Sequence, residues 1–245
     1  MPTRLDHLVI LVHDLEEAIV DYGRLGFGVT PGGEHADGLT RNALVPFRDG
    51  TYLELVAFVR PEDGRDNVWG WRGFLPGGGL IDYCAASADL WGELERLRGL
   101  GFEVEDLGEG GRRLPDGEEI RWRSAGFRQE GRALPFLIED LTPRERRVPG
   151  GPAADHPNGA TGISRLEIST PDPDRAGRDL AALTGAPPGA PKLGACEVFP
   201  VKQDGERGEG PSAVVLSTEA PAGAGELDPR LSHGVRLNLS PGAKG

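Results

Sequence analysis

The stretch LDHLVILVHDLEEAIVDYGRLGFGV, Leu5 to Val29, aligns without a gap on LIDYCAASADLWGELERLRGLGFEV, Leu80 to Val104. Asp14 falls on Asp89, Leu15 on Leu90 and Leu25-Gly26-Phe27 on Leu100-Gly101-Phe102, at a constant offset of 80 − 5 = 75 residues. In the first copy, Leu5 to Val12 reads as a strand that is apolar on both faces. Asp14 then caps a helix to about Leu25, whose apolar members Leu15, Ala18, Ile19, Tyr22 and Leu25 recur at helical spacing, and Gly26 ends it. Strand, cap, helix length and helix exit all repeat, which makes the chain a duplication.

Each copy continues into further strands. Thr40 to Phe47 and Thr51 to Val59 read as a hairpin turning at Arg48-Asp49-Gly50, with a short extra strand near Phe27 to Thr30. In the second copy, Glu119 to Phe127 and Leu134 to Leu141 take those places, Pro115-Asp116-Gly117 supplies a turn, and Gly108 to Gly111 reads as a loose connection. The fold class expected is α+β, with tandem βαβββ modules at about 1–72 and 78–141 inside a region 1–145. A Pro-, Arg- and Gly-rich linker follows at 146–159, then a third, partial βαβ-type module at 160–245 with strands near Ala195 to Val201, Ala213 to Ser217 and Val235 to Leu239. The Asp-x-Asp of TPDPDRAG does not open a calcium loop, since the third oxygen position is Ala176 and the twelfth is Leu183; Asp172 reads as a helix cap.

Composition narrows the function. With 39 acidic against 27 basic residues and a net charge of −12, the clustered cations that nucleic-acid binding needs are missing. The start MPTRLDH lacks a signal-peptide core and no apolar run reaches bilayer length, so a cytoplasmic protein without membrane contact is expected. Cys84 and Cys196 read as buried free thiols. GRLGFG does not match the dinucleotide-binding G-x-G-x-x-G, and no P-loop, nucleophile elbow, C-x-x-C or H-E-x-x-H occurs. What stands out is Asp6-His7 at the head of an otherwise aliphatic strand, two ionisable groups that need partners if buried. Strand alternation turns Asp6 outward when His7 faces in.

Tandem units with a histidine at the start of the first strand resemble the vicinal oxygen chelate superfamily. The strings DHLVILV, RNALVPFRDGTYLELVAF, RRLPDGEEIRWRSA, LPFLIED and DHPNGATGISRLEI look like the glyoxalase-like domain family within it. The resemblance implies curved mixed sheets around a cleft, with metal ligands on the first and last strands of each module. His7 and Glu54 match two such positions, and a divalent cation would justify both in an apolar layer. The 75-residue offset carries His7 to Asp82, an oxygen donor. Equating Tyr52 with Phe136 sets Ile138 opposite Glu54, so Glu139 joins the metal set only through a bulge or a different register.

Further candidates surround the cleft. In GGEHADGLTRNALV, His35 could protonate a substrate and Asn42 bond its carbonyl, or both could be turn residues. Arg113, Arg121 and Trp122 are expected to meet an anionic ligand or to pack on a plain surface, and Trp69 and Trp71 to form a lid or a packed cover. The reading is a metal-dependent isomerase or lyase acting on a small oxygen-bearing molecule, with extradiol oxygenation less suited to the donor set. The alternative is a metal-free small-molecule binding protein of the bleomycin-resistance kind. The third module could pair with its copy in a homodimer.

Overall fold

The computed structural model describes residues 1–2, 4–114, 116–128, 131–187, 189, 191–205 and 208–242. Its first part is a closed eight-stranded barrel made by the two copies. The first contributes β1 (Arg4–Leu11), α1 (Leu15–Arg24), β2 (Thr30–His35), β3 (Thr40–Pro46) and β4 (Tyr52–Phe58). The second contributes β5 (Gly79–Ala86), α2 (Leu90–Gly99), β6 (Gly108–Arg113), β7 (Glu119–Ala125) and β8 (Phe136–Asp140). Strand order is β1-β4-β3-β2-β6-β7-β8-β5. In each copy the first and last strands run parallel, and antiparallel β1–β5 and β2–β6 pairs join the copies.

The duplication survives in fine detail. Asp14 and Asp89 cap their helices by accepting from the backbone amides of Glu17 at 3.0 Å and Gly92 at 2.9 Å. Between β1 and β5, the pairs Leu5–Ala85 and His7–Cys84 leave Asp6 as an extra residue, while Val9–Asp82 and Ile10–Leu80 leave Ile81 extra. The two bulges are again 81 − 6 = 75 residues apart, so the offset holds within the strands themselves.

The segment Gly108 to Gly111, expected as a connection, is strand β6. Its glycines are there for close approach: a Cβ on Gly110 would lie 2.4 Å from Trp122 Nε1, an inward-facing indole that needs the space. Pro115 of the expected turn lies outside the described residues, and Gly117 donates its amide to Leu114 O at 2.9 Å.

After β8 come a short helix α3 (Arg144–Arg147), β9 (Ala160–Thr170), α4 (Pro173–Thr184), β10 (Lys192–Leu193), β11 (Cys196–Lys202), β12 (Gly210–Thr218), β13 (Gly225–Glu226) and β14 (Arg236–Pro241). The six strands form a sheet in the order β10-β11-β9-β12-β14-β13. Parallel β9–β11, antiparallel β9–β12 and parallel β12–β14 repeat the β4-β1-β5-β8 arrangement of the barrel. The third module is thus a half-barrel of two truncated units.

One apolar core runs between the two parts. Leu8, Ile10, Leu55 and Tyr83 on the outer barrel face meet Leu15 and Tyr22 of α1, Leu94 and Leu97 of α2, and Leu166, Ile168, Val214 and Leu216 of the sheet. Each fully buried leucine contributes about 1.5–3 kcal/mol over an exposed one. A separate cluster, Val9, Leu11, Val56, Phe58, Ile81, Cys84, Phe136 and Ile138, lines the barrel interior and frames the polar site.

Candidate functional site

His7 on β1 and Tyr52 and Glu54 on β4 share the inward parity of Val9 and Val56, and they open on a cavity of about 540 Å³. From Asp6 a chain of polar contacts crosses the cavity wall. His7 Nδ1 lies 2.8 Å from Asp6 Oδ1 and His7 Nε2 lies 3.3 Å from Glu54 Oε2. On the other side of the same carboxylate, His35 Nε2 lies 3.5 Å from Glu54 Oε1, and His35 Nδ1 lies 2.7 Å from Thr40 Oγ1. The Asn42 amide also donates to Glu54 Oε1. Glu54, expected beside a metal, therefore sits between two imidazoles.

Asp6 is buried, not outward, because the bulge frees it from strand alternation. Its partners are guanidinium groups. Arg147 Nη1 and Nη2 donate to Asp6 at 2.9 and 3.2 Å, and Arg144 Nη1 donates as well. Arg147 also reaches Tyr52 Oη at 2.7 Å and Asp140 Oδ1 at 2.5 Å. Burial pushes the Asp6 carboxyl up, but Arg147, the hydrogen bond and charge of His7, and Arg144 outweigh it and hold the group well below the usual carboxylate range. The stretch expected as a linker thus supplies the counter-charge of the site.

These contacts assign tautomers. An ionised Asp6 accepts from His7 Nδ1–H, which leaves Nε2 to face Glu54. For His35, the Thr40 hydroxyl donates to Nδ1 and Nε2–H points at Glu54. Burial raises the Glu54 carboxyl, while the His35 hydrogen bond, the charges of His7 and His35, and Asn42 together hold it at about 2.

The other expected residues are distributed differently. Asp82 lines a second cavity of about 920 Å³, separated from the first by Trp69 and Phe136, whose ring centroids are 4.4 Å apart. There its Oδ2 accepts from Trp71 Nε1 at 2.9 Å and from Arg132. Glu139 points away from the barrel interior, its Oε2 accepting from the Leu90 amide at 3.3 Å, because inward parity on β8 belongs to Phe136 and Ile138. Arg113 and Arg121 are exposed and paired with Glu119 at 2.8 Å and Glu109 at 2.5 Å. Alternation on β6 instead turns Arg112 into the cavity, with Trp122, Trp69 and Trp71. Arg112 and Arg147 escaped the sequence reading. The available signal was strand parity for the first, and the unpartnered Asp6 for the second.

Register also tests the four-ligand expectation. Val9 pairs with Glu54, and its counterpart 9 + 75 = 84, Cys84, pairs with Phe136. Phe136, rather than Ile138, occupies the position equivalent to Glu54, so the fourth donor is a phenyl ring, and the second-copy oxygen donor, Asp82, is held by an arginine. The donors do not fit a four-ligand centre. His7, His35 and Glu54 have suitable donor chemistry, but among the described residues only Asp6, His7 and Cys84 bring potential ligand atoms within 4.8 Å of one another. In that trio Asp6 is committed to two arginines and burial pushes the Cys84 thiol up.

Among solved structures, a hypothetical protein from Staphylococcus aureus shares the fold over 97% of this chain and 98% of its own, with a TM-score of 0.76 at 13% identity. A xylose isomerase-like TIM barrel/4-hydroxyphenylpyruvate dioxygenase fusion protein matches with a TM-score of 0.55 at 15% identity, over 93% of this chain and 40% of its own. Methylmalonyl-CoA epimerase from Mycobacterium tuberculosis is 26% identical over 58% of this chain and 91% of its own, with a TM-score of 0.43. No curated protein matches. Among the described residues no helix is long and apolar enough to cross a membrane. The family described as glyoxalase-like domain matches residues 5–184, so this chain belongs to the glyoxalase-like domain family of the vicinal oxygen chelate superfamily.

Proposed function

We propose that the barrel cavity catalyses proton transfer on a small oxygen-bearing substrate, as an isomerase or lyase, with Glu54 and His7 as the proton-holding pair. The observation that carries this is the approach of His7 Nε2 to Glu54 Oε2 at 3.3 Å, with Asp6 held against His7 Nδ1 from behind. A proton leaving a carbon beside a carbonyl passes to Glu54, and the electron pair moves to the carbonyl oxygen. Asn42 and Arg112 stabilise the resulting oxyanion, and the proton returns to a neighbouring atom. His7 keeps Glu54 ionised in the resting state, and Tyr52, stacked on the imidazole with centroids 4.6 Å apart, holds the ring in place.

The test is deuterium incorporation, followed by NMR, into a panel of small 2-oxo and 2-hydroxy acids incubated with the protein in D₂O, with and without a chelator. Exchange that is insensitive to chelator and reduced about 10²–10⁴-fold in Glu54→Gln and His7→Asn supports the reading. Binding without exchange, or exchange that persists in Glu54→Gln, overturns it in favour of a binding protein.

A metal-dependent version is favoured by one observation: both imidazoles hold Nδ1 against a fixed partner, Asp6 and Thr40, and turn Nε2 toward one carboxylate, so that with His35 in its other tautomer, Nδ1–H donating to Thr40, both Nε2 atoms would be free for an ion. His7, His35 and Glu54 would hold such an ion, which would polarise substrate oxygens as a Lewis acid. Exchange abolished by chelator and restored by a divalent cation would establish that version instead.

A further inference from the structure

Arg112 is 4% exposed and lines the cavity, yet its hydrogen-bond partners among the described residues are all neutral. Nη1 donates to Asn42 Oδ1 at 3.1 Å and Nη2 to Arg147 O at 2.8 Å, while Nε has no partner among the described residues. Its buried neighbour Arg147 has the carboxylates of Asp6 and Asp140; Arg112 has no carboxylate within ion-pair distance among the described residues. A buried guanidinium with only neutral partners carries an uncompensated charge. Burial correspondingly pushes its pKa down.

The surroundings keep it there. A Cβ on Gly32 would come 2.9 Å from Arg112 Nη1 and 2.0 Å from Asn42 Oδ1, so a bare backbone on β2 makes room for both groups. Asn42 then bridges Arg112 to Glu54, its oxygen toward the guanidinium and its nitrogen toward the carboxylate, which spaces the cation one side chain away from the proton-holding pair. Trp122 and Trp69 line the same cavity and add apolar wall for the body of a ligand.

We infer that Arg112 is the anchor for a carboxylate on the substrate, so that the cavity takes small monocarboxylic acids whose oxygen-bearing carbon lies next to the acid group. The planar guanidinium and a carboxylate match as a two-pronged pair, and the charge that the protein leaves unbalanced is supplied by the ligand. This rests on the proton-transfer reading only for what happens after binding.

The experiment is equilibrium binding, read by quenching of the cavity tryptophans, of C3–C6 2-oxo and 2-hydroxy monocarboxylates against their primary amides. The wild type is expected to bind at least one carboxylate about 10-fold or more tighter than its amide, and Arg112→Met to abolish that preference. Arg112→Lys, which keeps the charge but loses the planar fork, is expected to retain part of it and guards against misfolding of the first variant. Glu54→Gln should keep the preference while losing proton transfer, which separates a failure of the anchor from a failure of the chemistry. Amides binding as tightly as carboxylates to the wild type, no carboxylate binding at all, or an undiminished preference in folded Arg112→Met would overturn the inference.

Discussion

The two halves of the barrel share one backbone and differ in what they do with it. Both carry a bulge between β1 and β5, but Asp6 fills the first and Ile81 the second. Both place a side chain at the same inward point of the last strand, Glu54 in one half and Phe136 in the other. His7 has Asp82 as its counterpart, and that carboxylate is turned to Arg132 and Trp71 in a different cavity. Duplication supplies the geometry for a symmetric centre, while the side chains make it one-sided. The counter-charge for the polar half comes from Arg147, beyond both copies, so the asymmetry is built by the segment that follows them.

The largest break in that comparison comes from Asp6. Asp6→Asn leaves Arg147 buried with one carboxylate fewer, and removal of one member of a buried charge cluster costs about 3–5 kcal/mol, measurable by urea unfolding at pH 7. The folded-state carboxyl is depressed, so its stabilisation is present above the unfolded value of about 4 and is lost as pH falls through the lower folded value. The difference between wild type and Asp6→Asn should therefore be widest near neutrality and shrink below about pH 4. A constant difference across that window would show that the carboxylate's charge is not what matters.

Phe136→Glu sharpens the same comparison by restoring the missing donor. The ring packs edge-on to His7 with centroids 5.4 Å apart, and exchanging it for a carboxylate near Glu54 should cost about 2–4 kcal/mol without metal. Added Mn²⁺ or Zn²⁺ should recover part of this as a concentration-dependent rise in Tm, since an ion that binds only the folded state stabilises it. The wild type, with Phe136 in place, is expected to show little such rise. A rise of equal size in both would mean that His7, His35 and Glu54 already gather around an ion.

What the sequence discloses follows from periodicity. The repeat and the helices with their Asp14, Asp89 and Asp172 caps are properties of spacing, and the structure keeps them. Bulges break spacing, which is why Asp6 reads as outward and is buried. The glycines of β6 have weak strand propensity, and what they provide, room for the Trp122 indole, is a long-range fact. Arg147 sits in a run of Arg, Pro and Gly that resembles a linker, and its place under the barrel depends on the chain folding back after β8. Arg112 and Arg113 differ by one position, and only strand pairing decides which enters the cavity.

The smallest effect belongs to Asp82, and its sign is opposite to that of Asp6. Burial pushes the Asp82 carboxyl up, and the charge of Arg132 and the Trp71 indole do not fully offset it. A raised carboxyl contributes stability that is present below the unfolded value and is lost as pH climbs through the folded one. Asp82→Asn keeps the shape and an acceptor for the indole, and its partner Arg132 is partly exposed and can turn to water. The expected cost is about 1–2 kcal/mol at low pH, narrowing as pH rises toward neutrality, where the wild type itself holds a poorly compensated charge. Urea midpoints for both aspartate variants across pH 3 to 7 would then run in opposite directions. Two curves of the same slope would mean that the two halves of the barrel treat a buried carboxylate alike, and the one-sidedness would lie only in Glu54 and Phe136.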